Sequence, residues 1–117
     1  MFEQIFDKVR SYEENIKMIG VWDIDGLVIE KKEYSNQIDI DYELIGAEFA
    51  DIIKRTLKIS IQKKDEVLIN LTGENCELMV ISLNKEYFLI IITGKEALKS
   101  KINFLITFFK RDILVLL

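Results

Sequence analysis

Residues 20–32 read GVWDIDGLVIEKK, a β-rich run broken by one Asp25-Gly26 pair and then resumed. An Asp-Gly pair between two apolar runs favours a tight hairpin, because glycine accepts the positive φ that such turns need. The stretch therefore predicts two strands, Met18 to Ile24 and Leu27 to Tyr34, joined by a turn. This decides the fold class: a chain that turns back at once builds antiparallel sheet, whereas a parallel α/β core needs a helical crossover.

Working outward, Phe2, Ile5, Phe6, Val9, Tyr12 and Ile16 recur at helical spacing and predict an amphipathic helix over 2–16. Asp41 is a good N-cap for a second helix running to about Ile59. Three more strands follow at Val67 to Leu71, Glu77 to Leu83 and Tyr87 to Thr93. The links Thr72-Gly73-Glu74-Asn75 and Asn84-Lys85-Glu86 are short enough to be hairpins. Gly94 breaks the last strand, and a final helix is expected from Lys95, with Leu98, Ile102, Leu105, Phe109 and Leu116 on one stripe.

The runs Leu78 to Ile81 and Phe88 to Ile92 are apolar without alternation, as in strands covered on both faces. The expected architecture is α+β, in the order αββαβββα. A five-stranded antiparallel sheet has the second helix on one face and the two terminal helices on the other. No Pro and few Gly mark a linker, so residues 1–117 are read as a single domain.

Composition narrows the chemistry. The net charge is −4, which argues against a groove that tracks phosphates, so nucleic acid is not an expected partner. There is no histidine and a single cysteine, Cys76. A Cys/His zinc site, a Ser-His-Asp triad and a Cys-His pair are thereby excluded. Cys76 has no basic neighbour in sequence and is read as a plain small residue. The N-terminus has no apolar secretory core, and Lys110, Arg111 and Asp112 interrupt the greasiest stretch. No membrane insertion, and a cytoplasmic location, are expected.

One catalytic motif competes. An Asp-x-Asp after an apolar strand, here Asp23 and Asp25, opens phosphatases of the haloacid-dehalogenase type, where one carboxylate is nucleophile beside Mg²⁺. Those enzymes continue into a helix, and their downstream lysine and paired aspartates have no counterpart here. The turn reading is preferred. No catalytic residue, cofactor or metal ligand is assigned, and the chain is expected not to be an enzyme. Trp22 fits either a core position or a subunit-contact anchor.

On the second helix, Tyr42, Ile45, Phe49, Ile52 and Ile53 share a face assigned to the sheet. A flank carries Gly46, Ala47 and Ala50, small residues that suit either close approach of another helix or tight packing on the chain's own sheet. The outward side carries Glu43, Leu44, Glu48, Asp51, Lys54, Arg55 and Lys58, with Leu44 the one apolar residue among charges. If the strand Val67 to Leu71 lies at an edge, its unpaired backbone calls for a second chain, and joining two such edges makes an isologous homodimer.

The hairpin GVWDIDGLVIEKK, the helix DYELIGAEFADIIKRTLKIS and the closing CELMVISLNKEYFLIIITG resemble the roadblock family of dynein light chains and their bacterial and archaeal relatives. The resemblance covers nearly the whole chain. It implies a non-catalytic domain that dimerises through its second helix and third strand into one continuous sheet. It further implies binding of a small Ras-like GTPase across the paired second helices. Carried onto this chain, Glu43, Leu44, Ala47, Glu48, Asp51, Lys54 and Arg55 would face the GTPase. Gly46, Ala50, Val67, Ile69 and Leu71 would lie in the dimer interface. The alternative is a profilin-like sensory or scaffolding domain that binds a small molecule and has no GTPase role.

Overall fold

Trp22 fixes how the sheet and its helices meet. In the computed structural model, which describes residues 1–36, 38–59 and 66–117, its indole is fully buried and stacks on Phe88, with ring centroids 6.3 Å apart. A Cβ on Gly20 would come within 2.4 Å of the indole, and one on Gly46 within 2.5 Å. Two residues without side chains thus make the slot for the largest one. Trp22 is a core residue of the monomer and leaves no surface for a subunit contact.

Among the described residues eight elements follow in the expected order: α1 (Phe2–Tyr12), β1 (Ile16–Asp23), β2 (Val28–Glu33), α2 (Tyr42–Lys58), β3 (Leu68–Thr72), β4 (Glu77–Ser82), β5 (Tyr87–Thr93) and α3 (Lys99–Val115). The strands form one antiparallel five-stranded sheet in the order β2-β1-β5-β4-β3. β1 and β5 lie inside it and are buried along nearly their whole length, which is why neither alternates.

The two faces carry separate cores. Ile19, Val21, Met79, Leu89 and Ile91 pack against Phe6 and Val9 of α1 and against Ile102, Leu105, Ile106, Phe109 and Ile113 of α3. Met18, Trp22, Val80, Phe88, Ile90 and Ile92 pack against Phe49, Ala50 and Ile53 of α2. The helices therefore divide between the faces as expected, α2 alone on one and α1 with α3 on the other.

Two helix boundaries move by four residues and several strand ends by one or two. α1 ends at Tyr12 rather than at residue 16, and Ile16 opens β1. The cause is Glu13, whose backbone is extended and whose carboxylate accepts from the Asn15 backbone N–H at 3.2 Å and from Asn15 Nδ2 at 3.0 Å. Such local side-chain bonds compete with the helical ladder. α3 starts at Lys99 instead of Lys95, because residues 94–97 close a turn through Ala97 N–H to the Gly94 carbonyl. Leu98 is consequently exposed before the helix and Leu116 lies beyond it, while Ile106 and Ile113 join the buried stripe. α2 begins where expected, with the Asp41 carboxylate accepting from the Leu44 N–H at 3.1 Å.

Among the described residues, no helix is long and apolar enough to cross a membrane.

Candidate interaction surface: helix α2 and the β3 edge

The β1–β2 turn sets one border of the surface. Gly26 has φ +90°, the left-handed conformation that an L side chain resists. Asp23 Oδ1 accepts from the backbone N–H groups of Asp25 at 2.9 Å and Leu27 at 3.0 Å, so this carboxylate holds its own turn together. Asp25 pairs with Lys54 of α2 at 3.4 Å. The two carboxylates of the phosphatase-like motif are thus built into a hairpin and its link to α2. A Cβ on Gly26 would lie 2.9 Å from the Ala47 Cα, which is how closely the turn rests on the helix.

Seven expected partner-facing residues, Glu43, Leu44, Ala47, Glu48, Asp51, Lys54 and Arg55, are all exposed along the outer side of α2. Arg55 is engaged by Asp51 one turn away, at 3.0 Å. Gly46 and Ala50 differ. Of the two uses left open for them, the one seen is packing on the chain's own sheet, with Gly46 under Trp22 and Ala50 in the core. They present nothing to a second helix.

The apolar flank of α2 is the opposite one. Ile52, expected to face the sheet, is 41 % exposed, and Ile59 just past the helix end is exposed as well. With Ile45, which is half-buried against the α2 core, they recur every seven residues along the margin of the buried face, on the flank opposite Ala47 and Lys54 where the β1–β2 turn rests. The seven-residue spacing is legible in the sequence, but Ile52 sits next to Ile53, whose side of the helix does face the sheet.

β3 does lie at the edge of the sheet, paired only with β4 among the described strands. Val67, just before it, is buried and donates its N–H to Ser82 Oγ at 2.7 Å. Ile69 is half-buried beside the α2 core, and Leu71 on the same face is 49 % exposed. Leu68, which the sequence reading did not single out, is exposed on the other face. The α2 side of the sheet thus carries a charged outer helix side, and Val67 and Ile69 at the apolar β3 edge reach the core that α2 covers.

No protein-family model matches the sequence, and no curated protein does. Solved structures do. MglB of Myxococcus xanthus superposes with a TM-score of 0.75 at 13 % identity, covering 94 % of this chain and 89 % of that one. A roadblock/LC7 domain from Streptomyces avermitilis gives 0.75 at 12 % identity, covering 94 % and 92 %. Profilin IA of Acanthamoeba castellanii is similar at a lower TM-score of 0.64 and 7 % identity, covering 97 % and 96 %. Across nearly its whole length, the chain has the fold of the roadblock proteins.

Proposed function

We propose that this chain is a non-catalytic, cytoplasmic homodimeric adaptor or regulator of a small Ras-like GTPase. The dimer joins two β3 edges and two isoleucine flanks. The GTPase then lies across the paired outer sides of α2, on Glu43, Leu44, Ala47, Glu48, Asp51, Lys54 and Arg55. The observation that carries this reading is an uncharged edge strand, with exposed isoleucines on the α2 flank, in a roadblock fold. An unpaired apolar edge is a liability for a lone domain and an asset for a symmetric pair. Val67 and Ile69 support the edge from within, and Leu71 meets the partner.

An arginine finger raises GTP hydrolysis by roughly 10³–10⁵-fold. Arg55 pairs with Asp51 in solvent, a weak contact, and we expect any acceleration to come from ordering the GTPase's own switch segments. The test is a pull-down with the small GTPase encoded nearest to this gene, loaded with GTP or GDP, followed by single-turnover hydrolysis. Stronger retention of one nucleotide state is expected, and Arg55→Ala should leave turnover within about threefold of wild type, far from the loss of a finger. Equal or absent binding in both states would refute the regulatory role.

The profilin likeness favours a second reading, a scaffold that binds a small molecule and no GTPase. Against a ligand between α2 and the sheet stands the filling of that layer by Trp22, Phe49, Ile53 and Phe88, each nearly or wholly buried.

A further inference from the structure

The sheet face opposite α2 ends in a surface that neither the dimer nor the GTPase would use. α3 has a solvent side as well as a core side, and that side is not polar. Phe104 is 71 % exposed and Phe108, one turn on, is 69 % exposed. Lys101, Phe104, Phe108, Arg111 and Val115 fall within one narrow stripe at 100° per residue, a row ~21 Å long at 1.5 Å per residue. Tyr12 at the end of α1, 60 % exposed, closes one side. Between the helices lies a groove of about 350 Å³ lined by Tyr12, Lys101, Phe104, Leu105, Phe108 and Phe109.

Two of the aromatic side chains rest on a buried ring. Phe108 meets the buried Phe109 ring edge-on, with centroids 5.1 Å apart at 78°, and Tyr12 lies 6.4 Å from the same ring. A preformed aromatic row loses little freedom on binding, which is how binding anchors are built. Two phenylalanines one turn apart leave most of their surface in solvent, and each costs solubility.

The rim says what fits. α3 carries four cations, Lys99, Lys101, Lys110 and Arg111, against one carboxylate, Asp112, in a chain of net charge −4. Lys99, Lys101 and Lys110 reach Glu77, Glu13 and Glu66 at 3.5, 3.5 and 4.0 Å. Arg111 in the stripe, and Lys8 one turn before Tyr12 on the same side of α1, make no ion pair within the described residues. A second copy is a poor occupant, because it would bring the same unpaired cations, Lys8 and Arg111, and offer only Asp112 to meet them. We propose that the outer side of α3, with Tyr12, is a docking groove for an acidic amphipathic helix of a partner protein. Its apolar residues would enter between Tyr12, Phe104 and Phe108, and its carboxylates would meet Lys8 and Arg111.

Two fluorescein-labelled peptides of ~18 residues, about five turns, test this. They share a leucine stripe and differ in flanking Glu or Lys. By anisotropy the Glu-flanked peptide should bind at least ~tenfold tighter, and Phe104→Ser with Phe108→Ser should abolish binding while the domain still unfolds cooperatively. Lys8→Glu with Arg111→Glu should invert the preference, a readout that does not depend on the phenylalanine variant staying folded. Equal binding of the two peptides, or binding of neither, overturns the proposal. So does Phe104-dependent sedimentation with phosphatidylcholine–phosphatidylserine vesicles, which makes the surface a membrane contact. A concentration-dependent mass abolished by Phe108→Ser likewise overturns it, because the occupant is then a second copy.

Discussion

The two edges of the sheet are finished in opposite ways. β2 ends the sheet on one side with Glu30, Lys31, Lys32 and Glu33 making up four of its six residues. Lys32 Nζ reaches Glu3 at 2.6 Å and Asp7 at 2.8 Å on α1, and Tyr34 donates its hydroxyl to Asp7 at 2.6 Å. The Arg10 guanidinium lies over the Tyr34 ring, 5.2 Å from its centre. β3 ends the other side with Leu-Ile-Asn-Leu-Thr and no charge at all. A strand approaching β2 would have to desolvate lysines and break their links to α1. A strand approaching β3 would cover leucine. Val28 and Ile29 leave some apolar surface at the start of β2, but the next four positions are charged. A shared backbone pattern thus gives one edge built to stay single and one suited to pairing.

The largest test breaks β3. Leu71→Lys places a charge where the second β3 would pack, while in the monomer the residue is half in solvent and its loss costs little. An unpaired charge in a buried interface costs about 3–5 kcal/mol, so the dimer constant should weaken by well over ~100-fold. Light scattering should show the mass halve, while Val28→Lys on β2 leaves it unchanged. Ile69→Lys should dissociate the dimer too, with a lower melting temperature because Ile69 also packs against the α2 core. A wild-type monomer would remove the difference between the edges altogether. Ile52→Glu is the next step down. It charges the α2 flank rather than the strand, and a change of about tenfold in the dimer constant is expected by analytical ultracentrifugation. No change would confine the contact to β3.

Much of this asymmetry could be read before the coordinates. Tyr87 to Thr93 is a strand residue for residue as its pattern predicts, because an apolar run without alternation fits a strand covered on both faces. Asp25-Gly26 gave the hairpin, since only a positive-φ residue closes it. What could not be read depended on partners outside the local pattern. Ile16 continues the α1 period from Tyr12 and also begins a strand alternation with Met18. The choice between them was made by the Glu13 carboxylate. Gly46 and Ala50 could serve either side of α2, and the Trp22 indole, far away in sequence, decided it. Ile52 was misplaced for a related reason. A helical wheel says which residues neighbour one another, but the margin of the buried face is set by what lies beneath it.

The smallest effect concerns how the β2 edge is closed, and it is titratable where β3 is not. Hydrogen bonding from Lys32, then from Tyr34, holds the Asp7 carboxyl below its ordinary range. Asp7 binds a proton more readily unfolded than folded, so its contribution to stability is complete above the unfolded carboxylate value of about 3.9. It fades as pH falls through the lower folded value. Burial first, and the Asp7 carboxylate second, lift the Tyr34 phenol, so its share is complete below an unfolded value of about 10 and fades in strong alkali. Asp7 is exposed, which keeps the effect small and salt-sensitive. Acidification below pH ~4 should therefore loosen α1 from β2, seen as faster amide exchange in Phe2–Tyr12. Asp7→Asn should flatten that part of the profile. Strand β3 has no ionisable side chain, so the dimer mass should hold over the same acid range until the domain itself unfolds. A dimer that dissociates in step with the α1 signal would mean that the two edges are coupled through the sheet, and that sealing one side helps to shape the other.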